Sequence, residues 1–205
     1  DYWAPETIHY DELVLRPIAD PTAMVNAIRA GEINAGNLLS NDVVPEVEAA
    51  GWDLHTQELD WVGLTLVDRD GSMGTPLSDV RVRQAINMAL DNAAVLNAYG
   101  AGYGTVTTQV FNTSSPAFDA ALDELYPYDI EAAQALMAEA GYADGFTLQM
   151  PSVSALGEAV FAIIADSLAD INITVEYTEV AIASFFDEIL APNYPAYFMI
   201  LEQSA

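Results

Sequence analysis

Helix-length and strand-length apolar segments alternate along this chain, and most of the helical ones sit between a short polar residue and a glycine. This punctuation constrains the fold more than any other feature. Ser, Thr, Asp or Asn before a helix satisfies free backbone N–H groups, and glycine accepts the left-handed turn that stops it. Thr22 is expected to cap a helix running through residues 26–30, which Gly31 closes. Ser40 or Asn41 is expected to open a second helix toward Ala50, with Gly51 as its stop. Ser78 is placed to cap a helix over 79–90, with Val82, Ala85, Ile86 and Ala89 on one stripe. Asp91 or Asn92 starts another that ends at Gly100, and Asp129 caps one over 130–140 that ends at Gly141. Further helices are expected over 155–170 and 183–190. Strands are expected over 12–19, 52–58, 60–67, 146–150, 173–180 and 197–201. In the first of these Leu13 and Leu15 alternate with Val14 and Ile18, so both faces are apolar, as in an interior strand. Interleaved strands and helices define an α/β class. With no internal repeat and no low-complexity linker, one domain over residues 1–205 is the simplest count.

Charge narrows the function. The chain has 31 acidic and 5 basic residues, a net charge of −26, and every basic residue is Arg. Such a surface repels nucleic-acid phosphates and anionic membranes, so a nucleic-acid partner is excluded. The absence of Cys excludes thiol chemistry, disulfides and thiolate metal sites. No apolar run reaches the roughly 18 residues that a spanning helix needs. The longest candidate, 155–168, is interrupted by Gly157, Glu158 and Asp166. The sequence begins at Asp1 without an initiator Met or a basic leader, so it is expected to be a piece of a longer protein, with any anchor outside it. Residues 101–128 form a long Gly-, Thr-, Ser- and Pro-punctuated stretch, and segments of that kind are usually functional or wrap the surface of their own domain.

Candidate chemistry is sparse. Asp68-Arg69-Asp70-Gly71-Ser72 looks like the first half of a calcium loop but lacks its later acidic positions, and it is expected to be a solvated turn. His9 and His55 have no metal-ligand spacing. Asp119, Asp123 and Glu124 could suggest paired carboxylates for glycoside hydrolysis, but in a chain this acidic such pairs arise by chance. There is no nucleophile elbow, phosphate loop or dinucleotide fingerprint, so no catalytic residue, metal or cofactor is assigned. Trp61, Tyr99, Tyr103 and Phe111 are the aromatics that could wall a small-molecule cleft. Arg81 and Arg83 could clamp a ligand carboxylate, but an internal ion pair fixing their helix is the favoured reading.

Several stretches, in order and over nearly the whole chain, resemble family 5 of the solute-binding proteins of bacterial ABC transporters, the peptide, dipeptide and nickel group. Asp1-Tyr2-Trp3 resembles that family's Asn-Pro-x-Tyr-Trp. Ala27-Ile28-Arg29-Ala30-Gly31-Glu32-Ile33-Asn34 is similar to its Ala-Leu-x-x-Gly-Glu-Ile-Asp. Pro76-Leu77-Ser78-Asp79-Val80-Arg81-Val82-Arg83-Gln84-Ala85-Ile86 is similar to its Pro-Phe-x-Asp-x-Arg-Val-Arg-Gln-Ala-Ile. Tyr126-Pro127-Tyr128-Asp129, leading into Leu136-Met137-Ala138-Glu139-Ala140-Gly141-Tyr142, and then Asp144-Gly145-Phe146, continue the match. The resemblance implies a type II periplasmic-binding-protein (Venus flytrap) lobe, a mixed sheet flanked by helices, with this chain as the contiguous second lobe of a two-lobed protein. It also implies that a solute, a peptide foremost, is captured between the lobes and delivered to ABC permease subunits without bond chemistry.

The resemblance adds site expectations. Thr65 stands where many members carry Asn, two residues after Gly63, and Glu202 could offer a carboxylate near the end of the lobe. Together with Trp61, Tyr103 and Phe111 they are the expected ligand residues, while Asp79, Arg81 and Arg83 are expected to be structural. The location implied is extracytoplasmic, either periplasmic or as a cell-surface lipoprotein, with membrane association only through an anchor outside this chain. The alternatives are an α/β hydrolytic domain, which would need an acid, base or nucleophile set converging in one pocket, or a signal-sensing binding protein of the same fold.

Overall fold

Aspartate carboxylates, more than hydroxyls, start the helices. The computed structural model describes residues 3–7, 9–38, 40–56 and 60–202. The chain divides into two compact units, Asp1–His55 and Thr56–Ala205.

In the first unit, helix α1 spans Pro21–Arg29. Asp20, not Thr22, caps it: the carboxylate accepts from the Ala23 N–H at 2.6 Å, and Pro21 occupies the first position, where no N–H is needed. Ser40 caps a single 3-10 turn, Asn41–Val43, that runs into α2, Val44–Ala49. Met24, Val25, Ala27, Val44 and Val47 are buried. The strand expected over 12–19 does not form, and Leu13, Val14 and Leu15 are 77%, 75% and 83% exposed. A strand needs a neighbour for its backbone N–H and C=O groups, and no described strand pairs with this segment. Residues 52–56 of the second expected strand are likewise irregular, and positions 57 and 58 lie outside the described residues.

The second unit carries β1 (Asp60–Leu66), α3 (Val80–Ala89), α4 (Asn92–Gly100), α5 (Ile130–Glu139), β2 (Phe146–Ser152), α6 (Glu158–Ala169), β3 (Ile173–Glu179), α7 (Ile182–Leu190) and β4 (Ala196–Glu202). β1 and β4 pair antiparallel, with Asp60 opposite Glu202 and Leu66 opposite Ala196. β2 and β3 pair in parallel across α6, with Phe146 opposite Ile173. The unit is therefore α/β with mixed pairing. Its core brings together Val82, Ala85, Ile86 and Ala89 of α3, Met137 of α5, Leu148 and Met150 of β2, Val160, Ile164 and Leu168 of α6, and Phe198 of β4. Asp79, not Ser78, caps α3 through the Arg81 N–H at 2.8 Å, while Asp91 and Asp129 cap α4 and α5 as expected. Helix α6 starts at Glu158 instead of 155, because Gly157 takes φ +88° after the 3-10 turn Ser154–Leu156.

One glycine is essential to the parallel pair. Gly145, at φ +72°, precedes β2, and a Cβ there would lie 1.6 Å from the carbonyl oxygen of Asn172, which precedes β3. Asn172 itself has φ 63°, and its side-chain N–H donates to the Ala143 carbonyl at 2.9 Å. The two turns that launch β2 and β3 thus dock backbone to backbone.

Candidate functional site

Alternation along β1 sends Val62, Leu64 and Leu66 to pack against the core, and puts Trp61, Gly63 and Thr65 on the other face. Because Gly63 has no side chain, the Trp61 indole lies across it: a Cβ at Gly63 would come 2.4 Å from Cζ2 and 2.7 Å from Cη2 of the ring. Beside this strand is a recess of about 110 Å³, bounded by Trp61 and Leu64 of β1, Ile86 and Asn87 of α3, Leu90, and the loop residue Thr108.

The recess is of mixed polarity: apolar side chains of β1 and α3 share its lining with Asn87, Asn92, Thr107 and Thr108. The side-chain oxygen Oδ1 of Asn87 is buried and accepts no hydrogen bond among the described residues. Thr107 and Thr108 also reach the recess, and Asp123 places them. One oxygen of that carboxylate accepts from Thr107 Oγ1 at 2.9 Å, the Thr108 N–H at 2.9 Å, Thr108 Oγ1 at 3.0 Å and Gln109 Nε2 at 3.2 Å. Burial pushes the Asp123 carboxyl up, but these donors outweigh it and hold it below the usual carboxylate range. Gln109, buried, also bonds the Asp119 backbone in both directions, at 2.8 and 3.0 Å. These bonds, and not a helix or strand, fold the long 101–128 segment back on itself.

Of the expected ligand residues, only Trp61 borders the recess. Thr65 is half-buried on β1 outside it, and Tyr103 and Phe111 are 37% and 49% exposed and do not line it. The backbone of Glu202 pairs opposite Asp60, and its side chain lies outside the described residues. Tyr99 instead packs edge-on against Phe198 in the core, and its hydroxyl is pushed up first by burial and then by the Asp60 charge. Asn87, Thr107 and Thr108 were not anticipated. The one signal in the sequence was a polar Asn beside the apolar stripe of α3.

Arg81 grips Asp79 in a two-bond fork, Nε to Oδ1 at 3.1 Å and Nη2 to Oδ2 at 2.6 Å, and donates Nη1 to the Glu139 carbonyl at 2.6 Å. The bond to Glu139, not the fork, joins the start of α3 to the end of α5. The Arg81 side-chain hydrogen bond is the main reason the Asp79 carboxyl is held at about 2. The pair is part-exposed, with side-chain exposures of 42% for Arg81 and 25% for Asp79. Arg83 donates Nη1 to the carbonyls of Leu77 at 2.7 Å and Ser78 at 3.0 Å. Neither guanidinium borders the recess.

The turn at 68–72 corrects an expectation. Asp68 is only 1% exposed and is not solvated. The chain wraps back so that Asp68 accepts from the N–H groups of Met73 and Thr75, both at 3.0 Å, and from the Thr75 hydroxyl at 2.7 Å. It is a closed staple, and no group of three or more His, Cys, Asp or Glu among the described residues could hold a metal.

This architecture is shared with solved binding proteins. HbpA2 from Haemophilus parasuis superposes with a TM-score of 0.73 at 23% identity, over 90% of this chain and 37% of that one. DppA from Helicobacter pylori, in complex with the peptide STSA, gives 0.67 at 21% identity, over 91% and 36%. The fold is that of a type II periplasmic binding protein. In sequence, heme-binding protein A of Haemophilus influenzae is 33% identical over 149 residues, 71% of this chain and 26% of that protein. The glutathione-binding protein GsiB of Escherichia coli K12 is 28% identical over 182 residues, 86% of this chain and 34% of that protein. Residues 1–201 match the middle region of the bacterial extracellular solute-binding proteins, family 5, and the chain belongs to that family. It spans at most about a third of the length of these curated relatives.

Proposed function

We propose that residues 1–205 are the contiguous second lobe of an extracytoplasmic substrate-binding component of an ABC transporter, which captures a peptide between two lobes and hands it to permease subunits. The observation that supports this reading most directly is the recess beside β1, where Leu64, Ile86 and Leu90 meet Asn87, Thr107 and Thr108. That is the composition of a binding surface: apolar walls with a few fixed polar groups. A peptide is favoured because glutathione, named for one relative, and STSA, bound to one structural neighbour, are both peptides. On this reading the lobe binds without bond chemistry, and ligand shifts an open–closed equilibrium. Asp79, Arg81 and Arg83 hold α3 in place and do not touch the solute. The test is mass spectrometry, under native conditions, of the whole protein purified from its source. A bound peptide released on denaturation is the expected result, and a non-peptide solute or none overturns the assignment.

A further inference from the structure

Two tripeptides of this chain have the form Asn-x-Ser/Thr with x other than proline: Asn112-Thr113-Ser114 and Asn172-Ile173-Thr174. That spacing is the acceptor signal for N-glycosylation, and it calls for a surface loop. The structure separates the two. Asn112-Thr113-Ser114 lies in a turn of the 101–128 segment, with Thr113 and Ser114 exposed. The Ser115 N–H donates to the Asn112 carbonyl at 3.0 Å, and the Ser114 N–H to Asn112 Oδ1 at 3.0 Å. The Ser114 hydroxyl donates to the same Oδ1 at 2.6 Å, so hydroxyl and carboxamide stand on one side of the turn, within reach of a single enzyme site. The bonds that shape the turn are local, and among the described residues none from 110 to 118 belongs to the core. Such a turn opens at little cost to the rest of the unit. Asn172 is placed differently. Its side-chain N–H donates to the Ala143 carbonyl at 2.9 Å, and its own carbonyl packs against Gly145. Thr174 is a rung of the parallel ladder, opposite Thr147. Drawing that tripeptide into an enzyme would open the start of the β2–β3 pair.

We propose that Asn112 is an N-glycosylation site, the acceptor of a sugar chain from a lipid-phosphate-linked oligosaccharide, and that Asn172 of the folded protein is not. In the transfer, Nδ2 of Asn112 bonds to the anomeric carbon of the first sugar. The bond from that carbon to the donor's phosphate oxygen breaks, the lipid phosphate leaves with the bonding pair, and one Nδ2 hydrogen departs as a proton. The Ser114 hydroxyl is the second element that the transferase reads. Sequons of this kind are used in exported proteins, so the inference rests on the extracytoplasmic part of the reading above.

The test is peptide mapping by tandem mass spectrometry of the whole protein purified from its source, together with variants produced in that source. The wild-type peptide that contains Asn112 is expected to carry the added mass of one or more monosaccharides, and the peptide that contains Asn172 to have its unmodified mass. Asn112→Gln and Ser114→Ala are each expected to lose the added mass completely. Ser114→Thr, which keeps the hydroxyl, and Asn172→Gln are expected to retain it. An unmodified wild-type Asn112 peptide, sugar retained in Ser114→Ala, or sugar on Asn172 each overturns the proposal. Cell fractionation separates this failure from that of the underlying reading. Bare Asn112 in a protein found outside the cytoplasmic membrane removes the site and leaves the extracytoplasmic location standing. Recovery of the protein from the cytoplasm removes that location, and the proposal with it.

Discussion

Replacing Asp68 with Asn tests whether the 68–75 staple holds the second unit together. The aspartate offers Oδ1 to the Met73 N–H and Oδ2 to both the N–H and the hydroxyl of Thr75. Asparagine has the same shape but only one oxygen. With that oxygen turned to Thr75, its NH₂ faces the Met73 N–H, so a buried donor loses its partner and the remaining bonds lose their charge. Hydrogen bonds to a charged group are worth about 1.5–3 kcal/mol each, and an orphaned buried donor costs about as much, so a loss of about 2–3 kcal/mol is expected. In a unit of about 150 residues this lowers Tm by about 5–10 °C. Thermal unfolding followed by circular dichroism at neutral pH reads it directly. A second measurement checks the cause. Burial pushes the Asp68 carboxyl up, but the Met73 and Thr75 donors prevail and its folded pKa is lowered. A lowered folded pKa means that the unfolded chain binds more protons, so the stabilisation is present above about pH 4 and is lost as the pH falls through the depressed folded value. The Tm gap between wild type and Asp68→Asn should close over that range. A variant within about 1 °C of wild type at neutral pH, or a gap that acid leaves unchanged, refutes the staple argument.

Gly145→Ala should destabilise the same unit by about 3 kcal/mol or more, because it adds a backbone collision to the left-handed strain; Gly141→Ala, in the same unit and also at positive φ but with nothing within 4 Å, is the control, expected to lose only the strain. Urea midpoints that are equal for the two variants would contradict the docking of Gly145 on Asn172. Gly63→Ala should leave the fold intact but drive the Trp61 ring back by roughly 1 Å to reach ordinary contact distance, visible as a displaced Trp61 indole NMR signal; an unmoved signal would deny the indole its place over Gly63. Raising NaCl from low salt to about 0.5 M should raise Tm by screening repulsion among the acidic side chains, and a flat profile would show that this repulsion does not limit stability.

Local chemistry made much of the second unit readable. Asp91 and Asp129 stand where caps must stand, Gly100 and Gly141 fall at or just beyond the last turns of α4 and α5, and the Val82, Ala85, Ile86 and Ala89 stripe is buried as its spacing requires. Errors arose where structure depends on a distant partner. Leu13, Val14 and Leu15 have strand periodicity, but a strand exists only through a ladder, which periodicity cannot supply. Asp68 reads as a solvated turn residue because its burial depends on the chain returning at Met73 and Thr75. Thr107 and Thr108 sit in a segment with no periodicity at all, and they reach the recess only because a carboxylate 15 residues beyond Thr108 gathers them. Asn87 is ordinary in one dimension, since what sets it apart is a buried Oδ1 with no donor among the described residues.

The pairing of β1 with β4 has a mechanical consequence. Asp60, where β1 begins, faces Glu202, where β4 ends. Tension applied through those two points would load the ladder at its open end, so its hydrogen bonds would break rung by rung, as a zipper opens, and not all together as in a strand pair pulled lengthwise. The second unit should therefore yield at low force when stretched through its own flanks, while the parallel β2–β3 pair, away from the line of pull, stays closed until the β1–β4 seam has opened.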